Sequence, residues 1–145
     1  MVRLLKKGEV VTLFLSGTKK VYFKTAIIYF IFSVITFIFS IVYSLFSHEV
    51  YSDYLTFAFL YPLIGGVVLY LFLSKFDTFK KWPYNFYNSG IATITVGSIL
   101  AGINEIAGAD TLYYLWFYLV GIIFVILALI LLLKIITDDP PPSKL

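Results

Sequence analysis

Four long apolar segments occupy most of this chain, and they constrain its fold more than any other feature. The segments cover residues 21–47, 54–73, 86–106 and 112–133. Each is long enough to cross a hydrocarbon core of about 30 Å, which takes roughly 20 helical residues. Because the segments are continuously apolar and lack the alternation of barrel strands, they predict membrane-spanning helices. The hydrophobic content of 61% agrees with an integral membrane protein.

The connections between these segments are short, at 48–53, 74–85 and 107–110. Helices joined so closely are expected to be antiparallel neighbours. We therefore predict an all-α membrane protein that folds as an antiparallel four-helix transmembrane bundle over residues 21–136.

The two flanks of the bundle differ from it in composition. Residues 1–20 combine basic residues with short apolar runs, which is typical of a segment that lies along the cytoplasmic headgroups. Gly8 and Gly17 argue against one long helix there. Residues 137–145 contain consecutive prolines, which cannot continue a helix, so we expect a short exposed cytoplasmic tail.

The placement of charge predicts an orientation. All 11 Lys and Arg residues fall on one side of a four-span arrangement, and the two opposite connections have none. By the positive-inside rule, both termini are expected in the cytoplasm. The basic residues are Arg3, Lys6, Lys7, Lys19, Lys20, Lys24, Lys75, Lys80, Lys81, Lys134 and Lys144.

Aromatic residues are abundant where interfacial belts are expected. Tyr51, Tyr54 and the run at 113–118 lie at the outer ends of predicted spans, and Trp82, Tyr84 and Tyr87 lie at inner ends. Tyr and Trp favour the membrane interface because one end of each side chain is apolar and the other polar. We therefore expect these residues to anchor the helices.

The first span carries small and hydroxyl-bearing residues in a heptad pattern. In lipid the exposed face of a helix is the apolar one, so this stripe is expected to turn inward. Its hydroxyls either bond across helices and to their own carbonyls, or line a polar cavity. The residues are Tyr22, Tyr29, Thr36 and Tyr43 at one position, and Ala26, Ser33, Ser40 and Ser47 at the other.

The third span carries small residues on two faces, which predicts close neighbours on both and a central place in the bundle. One side holds Gly90, Thr93, Gly97, Ala101 and Asn104, and the other holds Ala92, Thr95, Ser98 and Gly102. The fourth span has no polar side chain below its aromatic end, so it is expected to be the most exposed to lipid.

The second span carries a proline and two glycines in the sequence LYPLIGG, at Pro62, Gly65 and Gly66. A proline removes one backbone hydrogen bond from a helix and bends it, and glycines allow another backbone to come close. The pattern predicts a kink that either serves packing or opens a pocket.

A carboxylate at the end of the third span is the most unusual polar feature. Glu105 precedes Gly108 at a helix C-terminus, where the helix dipole disfavours negative charge. His48, Tyr61 and Asn104 are expected at a similar depth. The sequence predicts a polar site in the outer half of the bundle, made of Glu105, Asn104, His48, Tyr61, Tyr43 and Ser98.

The third span also carries a resemblance. The run NFYNSGIATITVGSILAGINEIAGAD, together with YPLIGG before it, resembles a pattern in small uncharacterised four-span membrane proteins of bacteria. The likeness covers roughly residues 54–120. It implies a bacterial inner-membrane protein and brings no activity, cofactor or catalytic residue. The acidic residue that small multidrug exporters carry early in their first span is missing here.

Three functions compete at this point. The first is a binding or transport module, or a subunit of one, that recognises a lipid-like or small amphiphilic molecule at the polar site. The second is an accessory subunit that packs against a larger membrane protein or another copy of itself. The third, an enzyme using Glu105 and His48 as acid and base, lacks a nucleophile or a metal set, so a non-enzymatic role is favoured.

Composition limits the chemistry further. The chain has no Cys, one His and one Met, so we expect no disulfide, no metal site and no cofactor. The net charge of +3 is explained by topology and by contact with membrane lipids, and we expect no nucleic-acid partner.

The orientation can be tested with single introduced cysteines, since the chain has none of its own. Cysteines at Ser52 and Ala109 should react with a membrane-impermeant thiol reagent in intact cells, whereas cysteines at Thr78 and Ser143 should not. Reversed labelling would contradict the predicted orientation.

Overall fold

The structure is a computed structural model that describes residues 2–47, 50–74, 81–109 and 111–138. Helices account for nearly all of this part of the chain, and no residue in it lies in a strand. The predicted all-helical fold is therefore confirmed. In chain order the elements are α1 (Val2–Phe46), α2 (Asp53–Thr56), a π-helix (Tyr61–Val68), α3 (Leu69–Leu73), α4 (Lys81–Ala107) and α5 (Tyr114–Asp138).

Four helical stretches in the described residues are long and apolar enough to cross a membrane, as the sequence predicts. α2, the π-helix and α3 follow one another and together form the second stretch. α4 begins earlier than predicted, and Pro83 lies in its first turn, where a missing N–H breaks no intrahelical bond. The stretches are Lys20–Phe46, Asp53–Leu73, Lys81–Ala107 and Tyr114–Lys134.

α1 is continuous from Val2 to Phe46, so Gly8 and Gly17 do not interrupt it, contrary to the sequence expectation. A glycine inside a helix costs roughly 0.5–1 kcal/mol relative to alanine. A cost of this size at two positions weakens a helix without ending it. The part of α1 long and apolar enough to span a membrane begins at Lys20.

One stripe of α1 faces the other helices. Along it Ala26, Ser33 and Ser40 are buried, while the Phe and Ile side chains of the other faces are exposed. The stripe is the heptad pattern of the sequence, and most of its members are buried because lipid favours apolar groups on the outer faces. The buried residues of the stripe are Tyr22, Ala26, Tyr29, Ser33, Thr36, Ser40 and Ser47, and Thr25 beside them is also buried.

α4 packs closely along α5 through glycines. A Cβ atom added at Gly90 would lie 2.9 Å from the carbonyl oxygen of Gly121. One added at Gly97 would lie 2.9 Å from Cβ of Phe117 and 3.5 Å from the carbonyl oxygen of Tyr114. The two backbones therefore approach each other where only hydrogen fits.

The opposite side of α4 meets the second span. A Cβ atom at Gly102 would lie 2.7 Å from the backbone nitrogen of Leu55, and one at Gly65 would lie 2.8 Å from Cδ1 of Ile91. Ala101 is also buried, while Thr93 is only partly buried. Contacts on both sides make α4 central to the fold.

α5 contributes least to the interior. Only 11% of the residues in its most apolar 18-residue stretch are buried, against 28–39% in the other three spans. Its buried positions in the described part are Gly121, against α4, and Ala128. The sequence, which has no polar side chain below the aromatic end of this span, also predicts that it is the most exposed.

A π-helix occupies the segment where the proline and two glycines predict a distortion. Pro62 is buried and has no N–H to donate. The hydroxyl of Ser33 donates to the carbonyl oxygen of Phe59 at 3.0 Å, just before the π-helix. Gly66 lies directly against the ring of Tyr29, with no room for a Cβ atom. The distortion therefore serves close packing against α1.

The packing of α4 on α5 predicts the effect of bulk at Gly90. Gly90→Leu should lower the free energy of unfolding in detergent by about 1–3 kcal/mol, because the two helices must separate to admit the side chain. Gly97→Leu should behave in the same way. Ala92→Leu, on the exposed face of α4, is the matched control. It should change the free energy of unfolding by less than about 0.5 kcal/mol.

Thermal unfolding of the purified variants measures this difference. Equal melting temperatures for Gly90→Leu and Ala92→Leu would contradict the close contact of the two backbones.

Candidate functional site: an acidic cleft at one end of the bundle

An open cleft of about 520 Å³ lies where α4 ends and α5 begins. It contains both polar and apolar surface, and Asn104 and Glu105 at the end of α4 are among its polar residues. The lining residues are Tyr54, Ala101, Asn104, Glu105, Gly108, Ala109, Thr111, Leu112 and Tyr114.

A serine directly before the second span bonds to the carboxylate of Glu105. The hydroxyl of Ser52 donates to Oε2 of Glu105 at 2.5 Å. Ser52 is only 1% exposed, whereas Glu105 is exposed. The carboxylate is therefore fixed on its protein side and remains accessible from the cleft.

Ser52 has this position because it caps α2. Its backbone is extended, and its side-chain oxygen accepts from the backbone N–H of Leu55 at 3.5 Å. Leu55 in turn lies against Gly102 of α4. The cap and this contact place the serine hydroxyl beside the end of α4.

A left-handed glycine shapes the rim of the cleft. Gly108 has a φ of 65°, and its N–H donates to the carbonyl oxygen of Glu105 at 3.2 Å. The N–H of Ala109 donates to the carbonyl oxygen of Asn104 at 2.9 Å. These bonds satisfy the last carbonyls of α4 and turn the chain away, so Asn104 and Glu105 stay at the cleft.

Two tyrosines form aromatic walls. The ring centroids of Tyr54 and Tyr114 lie 6.0 Å apart. Behind them, the hydroxyl of Ser98 donates to the carbonyl oxygen of Tyr54 at 2.7 Å, and Ala101 is buried. Among the described residues, the cleft thus combines the carboxylate of Glu105, the amide of Asn104 and two tyrosine rings.

The structure brings together some of the residues predicted for the site and separates others. Asn104 and Glu105 line the cleft, and Ser98 supports its wall. Tyr61 and Tyr43 are not among the lining residues. His48 lies outside the described residues.

Tyr61 and Tyr43 lie outside the cleft and have other neighbours. Tyr61 is 37% exposed and lies beside the hydroxyl of Tyr118. Tyr43 is partly buried on α1, with its ring centroid 5.8 Å from that of Phe39.

Sequence reasoning missed Ser52, Tyr54 and Tyr114 as members of the site. A serine directly before a short helix is a capping signal, and that signal marks Ser52. The sequence pattern of the two tyrosines indicates interfacial anchors. A role in anchoring does not prevent a ring from also forming the wall of a cleft.

The burial of Ser52 also changes the labelling experiment proposed above. A cysteine there would be shielded from the reagent in the folded protein. Tyr51, which is 73% exposed, is the appropriate neighbouring position.

A second polar cluster lies in the opposite half of the bundle, and its hydroxyls bond within the protein. The hydroxyls of Tyr29 and Tyr70 both donate to Oδ1 of Asn88, at 2.9 and 2.6 Å. The hydroxyl of Tyr87 donates to the carbonyl oxygen of Gly65 at 2.7 Å. We call Tyr22, Tyr29, Tyr70, Tyr84 and Tyr87 the tyrosine cluster.

The rings of the tyrosine cluster surround Tyr70, which is 1% exposed. Its ring centroid lies 5.8 Å from that of Tyr22 and 5.7 Å from that of Tyr29. Tyr84 and Tyr87 meet the same ring edge-on, and the hydroxyl of Tyr84 lies 2.7 Å from that of Thr25. Tyr84 and Tyr87, which the sequence places in an interfacial belt, are partly buried and pack against the core.

Within the residues that the structure describes, no group of three or more His, Cys, Asp or Glu side chains is placed to hold a metal ion. Comparisons with protein-family models, curated proteins and solved structures produce no match to this chain. The resemblance noted in the third span therefore adds no family assignment, and the cleft itself must support any functional argument.

Proposed function

We propose that this chain is a non-enzymatic multi-pass protein of the bacterial inner membrane that binds a lipid-like or small amphiphilic molecule in the Glu105 cleft. It acts as a binding or transport module, or as a subunit of one. The observation that carries this proposal is a carboxylate held by a buried serine inside a cleft with tyrosine walls.

The proposed topology is an antiparallel four-helix bundle with both termini in the cytoplasm. The contacts of α4 support it, because Gly90 meets Gly121 whereas Gly97 meets Tyr114, so the order of contacts runs in opposite directions along the two helices. Lys20, Lys81 and Lys134 bound three spans at the end away from Glu105, which the positive-inside rule assigns to the cytoplasm. The cleft then faces the outer leaflet.

The chemistry of the cleft favours an amphiphile with a cationic headgroup. An ionised carboxylate accepts several hydrogen bonds, so Glu105 can bind a ligand while it keeps the bond from Ser52. The rings of Tyr54 and Tyr114 offer faces that attract ammonium groups. A volume of about 520 Å³ lies within the usual range of small-molecule sites, about 300–1,000 Å³.

A second candidate function is an accessory subunit that packs against a larger membrane protein or another copy of this chain. One face of α4 supports it, because small or polar residues there are exposed at membrane depth. Such residues usually contact another helix, since lipid favours larger apolar side chains. The small or polar residues exposed on this face are Asn85, Ser89 and Ala92.

The proposed binding function predicts a specific effect of charge removal at Glu105. The full chain in neutral lipid nanodiscs should bind dodecyltrimethylammonium, a cationic amphiphile, more tightly than dodecyl maltoside, a neutral one. Glu105→Gln keeps the shape of the side chain and should weaken binding of the cationic amphiphile about tenfold or more, because a charge-assisted contact is lost. Native mass spectrometry at graded ligand concentrations measures the affinities.

Asp53→Asn is the matched control. Asp53 is an exposed carboxylate at the same end of the bundle, but it does not line the cleft. Its removal should leave binding unchanged. Equal losses for the two variants would show a general effect of charge and contradict a site at Glu105. Co-purification of a stoichiometric partner that Ala92→Leu releases would favour the accessory function instead.

A further inference from the structure

A second surface groove lies at the end of the bundle opposite the Glu105 cleft. It has a volume of about 600 Å³ and runs between the start of the first span and the end of α3. Its surface is mostly apolar, with basic side chains at one end. The lining residues are Lys20, Phe23, Lys24, Ile27, Ile28 and Ser74.

The two lysines concentrate positive charge at one place. Lys20 and Lys24 are four residues apart on α1, so they lie on the same face of the helix, and both are exposed. Neither forms an ion pair in the described part of the chain. The structure describes the carboxylate side chains of Asp53 and Glu105, and both lie at the other end of the bundle. An anion at this groove would therefore meet two exposed lysines.

The floor of the groove is apolar. Phe23 and Ile28 are each 56% exposed and Ile27 is 46% exposed. Ile27 and Ile28 lie one turn further along α1 than Lys24, towards the membrane centre. The opposite wall is polar at its end, where the hydroxyl of Ser74 donates to the carbonyl oxygen of Leu71 at 2.7 Å.

We propose that this groove binds one anionic phospholipid. The phosphate lies between the ammonium groups of Lys20 and Lys24, and an acyl chain lies along Phe23, Ile27 and Ile28. Long lysine side chains near the end of a span extend towards the headgroups and so meet a phosphate at its natural depth. A free anion would use the lysines alone and leave the apolar floor uncovered, so the combination selects a lipid.

Native mass spectrometry of the full chain tests this proposal with two matched lipids. Phosphatidylglycerol is anionic and phosphatidylcholine is zwitterionic, and the acyl chains are kept identical. The protein should retain phosphatidylglycerol in preference. Lys20→Gln/Lys24→Gln should weaken that binding about thirtyfold, which corresponds to about 1 kcal/mol from each lysine near an anionic surface.

Three controls make the test specific. Lys81→Gln/Lys134→Gln removes two exposed lysines from the same end of the bundle, outside the groove, and should leave the binding unchanged. Lys20→Arg/Lys24→Arg should retain it, which shows that the fold tolerates change at these positions. Glu105→Gln should also retain it, so this proposal stands or fails separately from the proposed function of the acidic cleft.

Inorganic phosphate provides the final comparison, because it carries the charge of the headgroup without the acyl chain. At equal concentration it should not displace the bound lipid. Equal losses in the two double glutamine variants, equal affinity for the two lipids, or displacement by inorganic phosphate would each overturn the proposal.

Discussion

The side-chain oxygen of Asn88 is the point on which the packing of three helical elements depends. It accepts one hydrogen bond from Tyr29 on α1 and another from Tyr70 on α3, while Asn88 itself belongs to α4. A hydroxyl in hydrocarbon without a partner is costly, so two large side chains can be buried here only because one acceptor serves both. The rings then supply the apolar contact, with Tyr70 almost completely enclosed.

The hydrogen bonds of Asn88 in the first half of α4 also affect the packing at the other end of this helix. With α4 fixed against α1 and α3, its glycines determine where the remaining elements fit. α5 comes close at Gly90 and Gly97, and α2 comes close at Gly102. At Gly102, α4 contacts Leu55 of α2. Ser52, which caps α2, donates a hydrogen bond to Glu105. The hydroxyls of Tyr29, Tyr70 and Tyr87 bond to Asn88 and to the carbonyl oxygen of Gly65. The carboxylate of Glu105 at the far end remains accessible, which is why we propose ligand binding at that end.

Much of this fold could be predicted from the sequence, because each feature depends on one helix at a time. The apolar lengths give four spans, the heptad stripe gives the buried face of α1, and small residues on two faces give the central place of α4. Features that join distant segments could not be predicted. Ser52 and Glu105 are 53 positions apart, and their bond depends on how α2 sits on α4. Tyrosine patterns are ambiguous for a different reason, since the same amphipathic ring suits an interface or a polar core. Only the packing shows that Tyr84 and Tyr87 also contact the core.

The central claim is that Asn88 joins α1, α3 and α4 by satisfying two buried hydroxyls, and a comparison of two asparagines on one helix tests it most directly. Asn85 is exposed on α4, three residues before Asn88. Thermal unfolding of the purified protein should show Asn88→Leu destabilised by at least about 2 kcal/mol, since two buried donors lose their acceptor at about 1–3 kcal/mol each. Asn85→Leu should change stability by less than about 0.5 kcal/mol. Equal stability of the two variants would contradict the account.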